Sequence, residues 1–149
     1  MATRVADRAV LDTNVLLAAS DTGRAAYPRA RAVLDEWPRQ GTTLYASGQI
    51  LREYLSVATR PVEHNGLGLA QADAVANVRA LSDRVHLLVE NDKVHARLLA
   101  LLEETDCGGK QVHDANIAAT MLTHGITALA TLNTDDFTRF EYLITVVEP

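Results

Sequence analysis

The chain has 149 residues, enough for one domain that hides roughly 70% of the surface its unfolded form would expose. Hydrophobic residues make up 48% and charged residues 22%, an ordinary globular balance, while an aromatic content of 5% excludes a broad platform for stacking bases. A net charge of -5 excludes a protein that coats nucleic acid by bulk attraction to phosphate, yet it leaves room for a site that gathers carboxylates around a cation.

The lone Cys107 rules out an internal disulfide and a cysteine-based zinc cage. The start, Met1 to Arg8, lacks the apolar run of a signal peptide, and no stretch reaches the ~18 apolar residues of a membrane span. The expectation is a soluble, cytoplasmic protein without membrane association, folded as a single domain over residues 1–149. No linker, repeat or low-complexity tract interrupts it.

Ala9-Val10-Leu11 reads as a short buried strand ending at Asp12, followed by a short helix from Asn14 to Ala19. From Arg24 to Trp37, Ala26, Ala30, Val33, Leu34 and Trp37 recur at helical spacing, and Gly41 ends the segment. Thr42 to Ala46 is a second strand. Ser47 is placed to cap a helix from Gly48 to Thr59, which Pro61 stops. His64 to Gly68 reads as a loop, Ala70 to Ser82 as a helix and Val85 to Val89 as a strand. Asn91 or Asp92 caps the helix that runs to Glu104, and Cys107-Gly108-Gly109 breaks it. The next helix spans Val112 to His124, with Gly125 as its stop. Strands at Ala128 to Leu132 and Ile144 to Val147 complete the set. This alternation predicts an α/β fold: a central, largely parallel sheet of four to five strands flanked by helices in three layers. Ligands of such sheets bind outside the carboxyl ends of the strands.

Four acidic positions stand out against that frame. Asp12 follows the first strand directly, where it serves equally as a helix N-cap or as a carboxylate aimed out of the ligand-binding edge. Glu53 lies three residues after Ile50 and beside Tyr54, near the apolar face of its helix, where a charge needs a partner. Arg52 or Arg60 could supply one as a structural ion pair. Asp114 stands in a first helical turn, which the dipole favours, but in line with Ile117, Ala118 and Met121. Asp135 and Asp136 lie in the polar segment after the strand at 128–132; one of them can join a site while the other caps a short helix near Phe137 to Phe140. Crowded carboxylates raise one another's pKa unless a cation neutralises them, and hard oxygen ligands select magnesium or manganese.

In these blocks the sequence resembles the PIN-domain nucleases, and within them the VapC-type toxins of bacterial toxin–antitoxin pairs. The matching pieces are Leu11-Asp12-Thr13-Asn14-Val15-Leu16, Ile50-Leu51-Arg52-Glu53-Tyr54, Val112-His113-Asp114-Ala115 and Thr131-Leu132-Asn133-Thr134-Asp135-Asp136-Phe137. Each is unspecific alone; their order and spacing along essentially the whole chain are specific. The resemblance implies magnesium- or manganese-dependent cleavage of RNA, with catalytic Asp12, Glu53, Asp114 and Asp136. Asp12 and Asp114 would be direct metal ligands. Thr13 and Thr131 would be supporting donors, Asn133 would orient a water, and Asp135 is the alternative fourth acid. It also implies a small VapB-like antitoxin, a homodimer and inhibition of translation.

Other residues carry less. His113 beside Asp114 reads as a packing group before a general acid, Lys110 and Gln111 as a solvated loop, and Arg60 as a helix-terminal charge. The rival readings are a haloacid-dehalogenase-like phosphatase, a receiver-like domain and a catalytically silent RNA- or protein-binding module. The phosphatase would need an acid where Asn14 stands, and it gives Glu53 no role.

Overall fold

A computed structural model describes residues 4–149; the first three residues of the Met1–Arg8 start lie outside the described residues. Among those described, five strands and six α-helices alternate: β1 (Arg8–Leu11), α1 (Thr13–Ala19), α2 (Tyr27–Asp35), β2 (Thr43–Ser47), α3 (Gly48–Ala58), α4 (Gln71–Ser82), β3 (His86–Leu88), α5 (Asp92–Glu104), α6 (Gln111–Thr123), β4 (Ala128–Ala130) and β5 (Thr145–Val147). All strand pairings are parallel, in the order β3-β2-β1-β4-β5. This is the three-layer α/β/α arrangement that the alternation predicts. No helix among the described residues is long and apolar enough to cross a membrane.

The topology positions the site. From β1 the chain winds outward through β2 to β3, then crosses back to β4 on the other side of β1. Right-handed crossovers in opposite directions place α1–α4 on one face and α5–α6 on the other. On the first face α1 accordingly packs on both α2 and α3, and α3 on α4; on the second, α5 packs on α6. The reversal lies between β1 and β4, and there the carboxyl ends of neighbouring strands splay apart to leave a crevice. The core on either side is apolar, with Val10, Leu11, Leu16, Leu44, Ile50, Tyr54, Leu101, Ile117, Met121 and Leu129 all at most 2% exposed.

Several boundaries differ from those read in the sequence, each for a local reason. The second helix begins at Tyr27 rather than Arg24 because Asp21 draws the preceding chain into a turn. Its carboxylate accepts from Gly23 N at 2.9 Å and from Arg24 Nε at 3.3 Å, and Pro28 then occupies the first helical turn. That helix ends at Asp35, and Pro38–Gln40 forms a separate 3-10 turn closed by Gly41 at φ 96°. Strand β4 stops at Ala130 because Leu132 N turns away to Asn14 Oδ1 at 2.9 Å. The predicted loop at 64–68 holds the end of a 3-10 turn, Val62–His64.

The short helix near the carboxyl terminus is a 3-10 helix spanning Thr134–Phe140. Its three-residue period brings Phe137 and Phe140 onto one buried face. The expectation that one aspartate caps this helix is corrected. Asn133 holds the cap position without a side-chain cap bond, and Asp135 and Asp136 both lie in the first turn.

Candidate active site

Asp12 sits at the crevice between β1 and β4. Its backbone N–H continues the ladder to Ala130 O at 2.9 Å, so the residue is still held as a strand while its side chain turns to cap α1. Oδ1 accepts from Thr13 N at 2.8 Å; Oδ2 accepts from the Thr131 hydroxyl at 2.8 Å and from Asn14 Nδ2 at 3.2 Å. Asp12 thus caps α1 through one oxygen while its other oxygen is held at the β1–β4 edge. Burial pushes its pKa up; the Thr131 and Thr13 hydrogen bonds oppose this, and the charges of Glu53 and Asp136 add to it.

Asn14 was not singled out as a site residue by its sequence context, since an Asn in a first helical turn is ordinary. In the fold its amide is fully used. Nδ2 donates to Asp12 Oδ2 and to Thr131 Oγ at 3.0 Å, while Oδ1 accepts from Leu132 N. It thus fastens the start of α1 to the end of β4. Thr131 is completely buried and accepts a further bond from Asn133 N at 3.0 Å. Asn133 reaches this network through its backbone; its side chain is on an exposed residue.

Glu53 is delivered by α3. Ser47 caps that helix by accepting from Ile50 N, and Ile50, Tyr54 and Ala58 recur every fourth residue on its buried face. Glu53 stands at the edge of this stripe, half-buried. Its Oε2 accepts from the Thr13 hydroxyl at 2.8 Å and its Oε1 from Gln49 Nε2 at 2.8 Å. The partners are thus a hydroxyl and an amide rather than Arg52 or Arg60. Gln49 is the second residue that the sequence reading missed.

Asp114 arrives from the opposite layer, in the first turn of α6, a helix buried along its middle from Ala115 to Met121 apart from the half-buried Asn116. Desolvation pushes its pKa up to about 6, and the negative charges of Asp136, Asp12 and Glu53 contribute in that order; Arg139 acts against them. The four acids therefore share one electrostatic site although they come from β1, α3, α6 and the 3-10 helix. Asp136, not Asp135, is the member of the adjacent pair whose charge bears on both Asp12 and Asp114. His113 is exposed on the helix and enters this region through its carbonyl, which accepts from Gln49 Nε2 at 2.9 Å.

The donor set is entirely oxygen and carries an excess of negative charge that no adjacent cationic side chain neutralises in full. Both properties fit a small, hard divalent cation and fit zinc poorly. Among the described residues, no three His, Cys, Asp or Glu side chains are gathered tightly enough to enclose an ion as they stand. Mutual repulsion of uncompensated carboxylates favours such an open arrangement.

The family model described as PIN domain matches residues 9–142, which contain all four acids. Among solved structures, the chain is similar to Mycobacterium tuberculosis VapC20, a Sarcin-Ricin loop cleaving toxin. The two are 21% identical with a TM-score of 0.69, over 95% of this chain and 99% of that one. It is also similar to VapBC-1 from nontypeable Haemophilus influenzae, at 18% identity and a TM-score of 0.63 over 95% and 97% of the chains. A third similar structure is VapBC2 from Rickettsia felis bound to a DNA fragment from its promoter, at 15% identity and a TM-score of 0.64 over 95% and 98%. At these identities the structural likeness concerns the fold. No curated protein matches the sequence.

Proposed function

Because the chain belongs to the PIN-domain family, we propose that it is a magnesium- or manganese-dependent endoribonuclease, acting as the toxin of a toxin–antitoxin pair that inhibits translation. The observation that carries this reading is the electrostatic coupling of Asp12, Glu53, Asp114 and Asp136 at the sheet's reversal point. A concentration of negative charge is costly in the free protein and becomes useful only with a cation and a phosphate to share it.

Asp12 and Asp114 would hold the ion, with Glu53 and Asp136 beside them. When bound, the ion would lower the pKa of a water and stabilise the leaving oxygen of an in-line displacement. The protein's own residues supply orientation. Thr131, Thr13 and Asn14 keep the Asp12 carboxylate in one rotamer, and Thr13 with Gln49 does the same for Glu53. Burial of Asp12 and half-burial of Asp114 thin the water around the reacting phosphodiester and strengthen every charge interaction there.

The similar structures include toxin–antitoxin complexes, so a small VapB-like antitoxin covering the site, and a homodimer, are the partners proposed here. Residues 1–149 would act as one nuclease domain in the cytoplasm. The phosphatase alternative is disfavoured by Asn14, whose amide is spent on holding Asp12, Thr131 and Leu132.

The test is incubation of the purified protein with structured RNA and magnesium or manganese, with and without EDTA, beside a small phosphomonoester. RNA fragments that disappear with EDTA support the proposal. Phosphate release from the monoester without RNA cleavage would favour the phosphatase, and neither activity would favour a silent binding module.

A further inference from the structure

We infer that Gln49 is the positioning residue that aims Glu53 into the site, and that it does so by locking α3 against α6. The inference rests on the metal-dependent reading above for the use made of Glu53. Gln49 is 6% exposed and stands one helical turn before Glu53, so the two side chains share a face of α3. Its Nε2 donates to Glu53 Oε1 at 2.8 Å and to the His113 carbonyl at 2.9 Å, and its Oε1 accepts from Asn116 Nδ2 at 2.7 Å. Both amide protons and the oxygen are thus engaged. Turned over, the amide would point its oxygen at a carboxylate and a carbonyl, and its protons at another NH2 group. Its surroundings permit one orientation.

The tie extends to a third element. Asn116 Nδ2 lies 3.4 Å from Glu90 Oε2, and Glu90 Oε1 accepts the backbone N–H of Gln49 at 3.0 Å. Glu90, on the connection between β3 and α5, therefore meets the amino end of α3, where a carboxylate is favoured. Gln49, Asn116 and Glu90 close a ring that crosses from one helical layer to the other at the carboxyl edge of the sheet. With Oε2 held by Thr13 and Oε1 by Gln49, Glu53 keeps its remaining lone pairs in fixed directions. A carboxylate fixed in advance loses less rotamer freedom when it engages a ligand.

Gln49→Met keeps the length of the side chain and removes both its donors and its acceptor. Manganese binding by the purified protein, followed by the free-ion electron paramagnetic resonance signal, is measured together with kcat and KM on RNA. The set is the wild type, Gln49→Met, Glu53→Gln and the double variant. The expected result is about tenfold weaker manganese binding and a lower kcat with little change in KM for Gln49→Met. In the Glu53→Gln background the same change should add nothing, because the amide acts through that carboxylate. Additive losses in the double variant would overturn the inference, as would wild-type manganese binding by a Gln49→Met protein with native circular dichroism. If Gln49→Met does not fold, the half-buried Asn116→Ala is expected to weaken manganese binding in the same direction, and unchanged binding there would overturn the inference equally. A wild-type protein that neither binds manganese nor cuts RNA would remove the nuclease reading itself, and this inference with it.

Discussion

Thr131 donates its hydroxyl to Asp12 Oδ2 at 2.8 Å, joining the ends of the two strands between which the sheet reverses direction. The same oxygen accepts from Asn14 Nδ2 and Asn133 N, so a single buried hydroxyl serves three neighbours. Thr131→Val keeps the shape and removes all three bonds. Asn133 N and one proton of the Asn14 amide, both only partly buried, then lose their acceptor, and Asp12 loses a buried donor, at a stability cost of about 1–2 kcal/mol in urea unfolding. Asp12 also loses the largest influence holding its pKa down, so manganese binding at neutral pH should weaken about tenfold. Thr131→Ser should restore most of both.

Asp114 makes the protein sensitive to pH in a direction that can be stated. Its folded pKa of about 6 lies above the ordinary carboxyl value of 3.8, so the folded state holds the proton more tightly than the unfolded chain does. Its favourable contribution is complete below the lower value and is lost as pH rises through the upper one. Without metal, the Asp114→Asn protein should therefore gain stability relative to the wild type between roughly pH 4 and pH 6, read as the difference in urea midpoints. Manganese must displace the same proton, so wild-type affinity for the ion should rise across that interval. A midpoint difference that does not vary with pH would contradict the assignment.

The adjacent aspartates should separate cleanly. Asp136 raises the pKa of both Asp12 and Asp114, whereas Asp135 is not among the charges that bear on them. Asp136→Asn is expected to slow RNA cleavage by about a hundredfold, and Asp135→Asn by less than about threefold. Equal effects, measured as kcat/KM on one RNA, would contradict this choice.

Behind Glu53, Tyr54 is fully buried and its hydroxyl is shared. It donates to Ser20 Oγ at 2.8 Å and accepts from Asn77 Nδ2 at 3.1 Å, linking α1, α3 and α4. Tyr54→Phe should cost about 1–2 kcal/mol of stability, measured by denaturant unfolding, because the two partners lose a buried neighbour.

How much of this was legible beforehand depends on the kind of signal each residue leaves. The sheet, its helices and the positions of Asp12 and Asp114 follow from apolar periodicity, because burial imposes a repeat that a single sequence displays. Asn91 as the cap of α5 was one of two neighbouring choices, and the fold settles it: Asn91 Oδ1 accepts from Lys93 N at 3.1 Å and from Val94 N at 3.2 Å. Asn14 and Gln49 left no such mark. An amide in a first helical turn is compatible with solvent, and its role appears only when β4, α3 and α6 come together in space. The start of α2 was misplaced because the alanines at 25 and 26 continue a helical pattern that the Asp21 turn overrides. Asp135 and Asp136 are not told apart by the sequence, because the short 3-10 helix that buries Phe137 and Phe140 together carries too few residues to display a periodicity.

Metal-dependent RNA cleavage at these acids is tested most directly by the rate at which the wild type and Asp114→Asn cut one end-labelled structured RNA in manganese, at matched circular dichroism. Wild-type cleavage that stops with EDTA, and a variant slower by at least about a hundredfold, is the predicted result. Cleavage by Asp114→Asn at the wild-type rate would contradict the assignment of the reaction to this site.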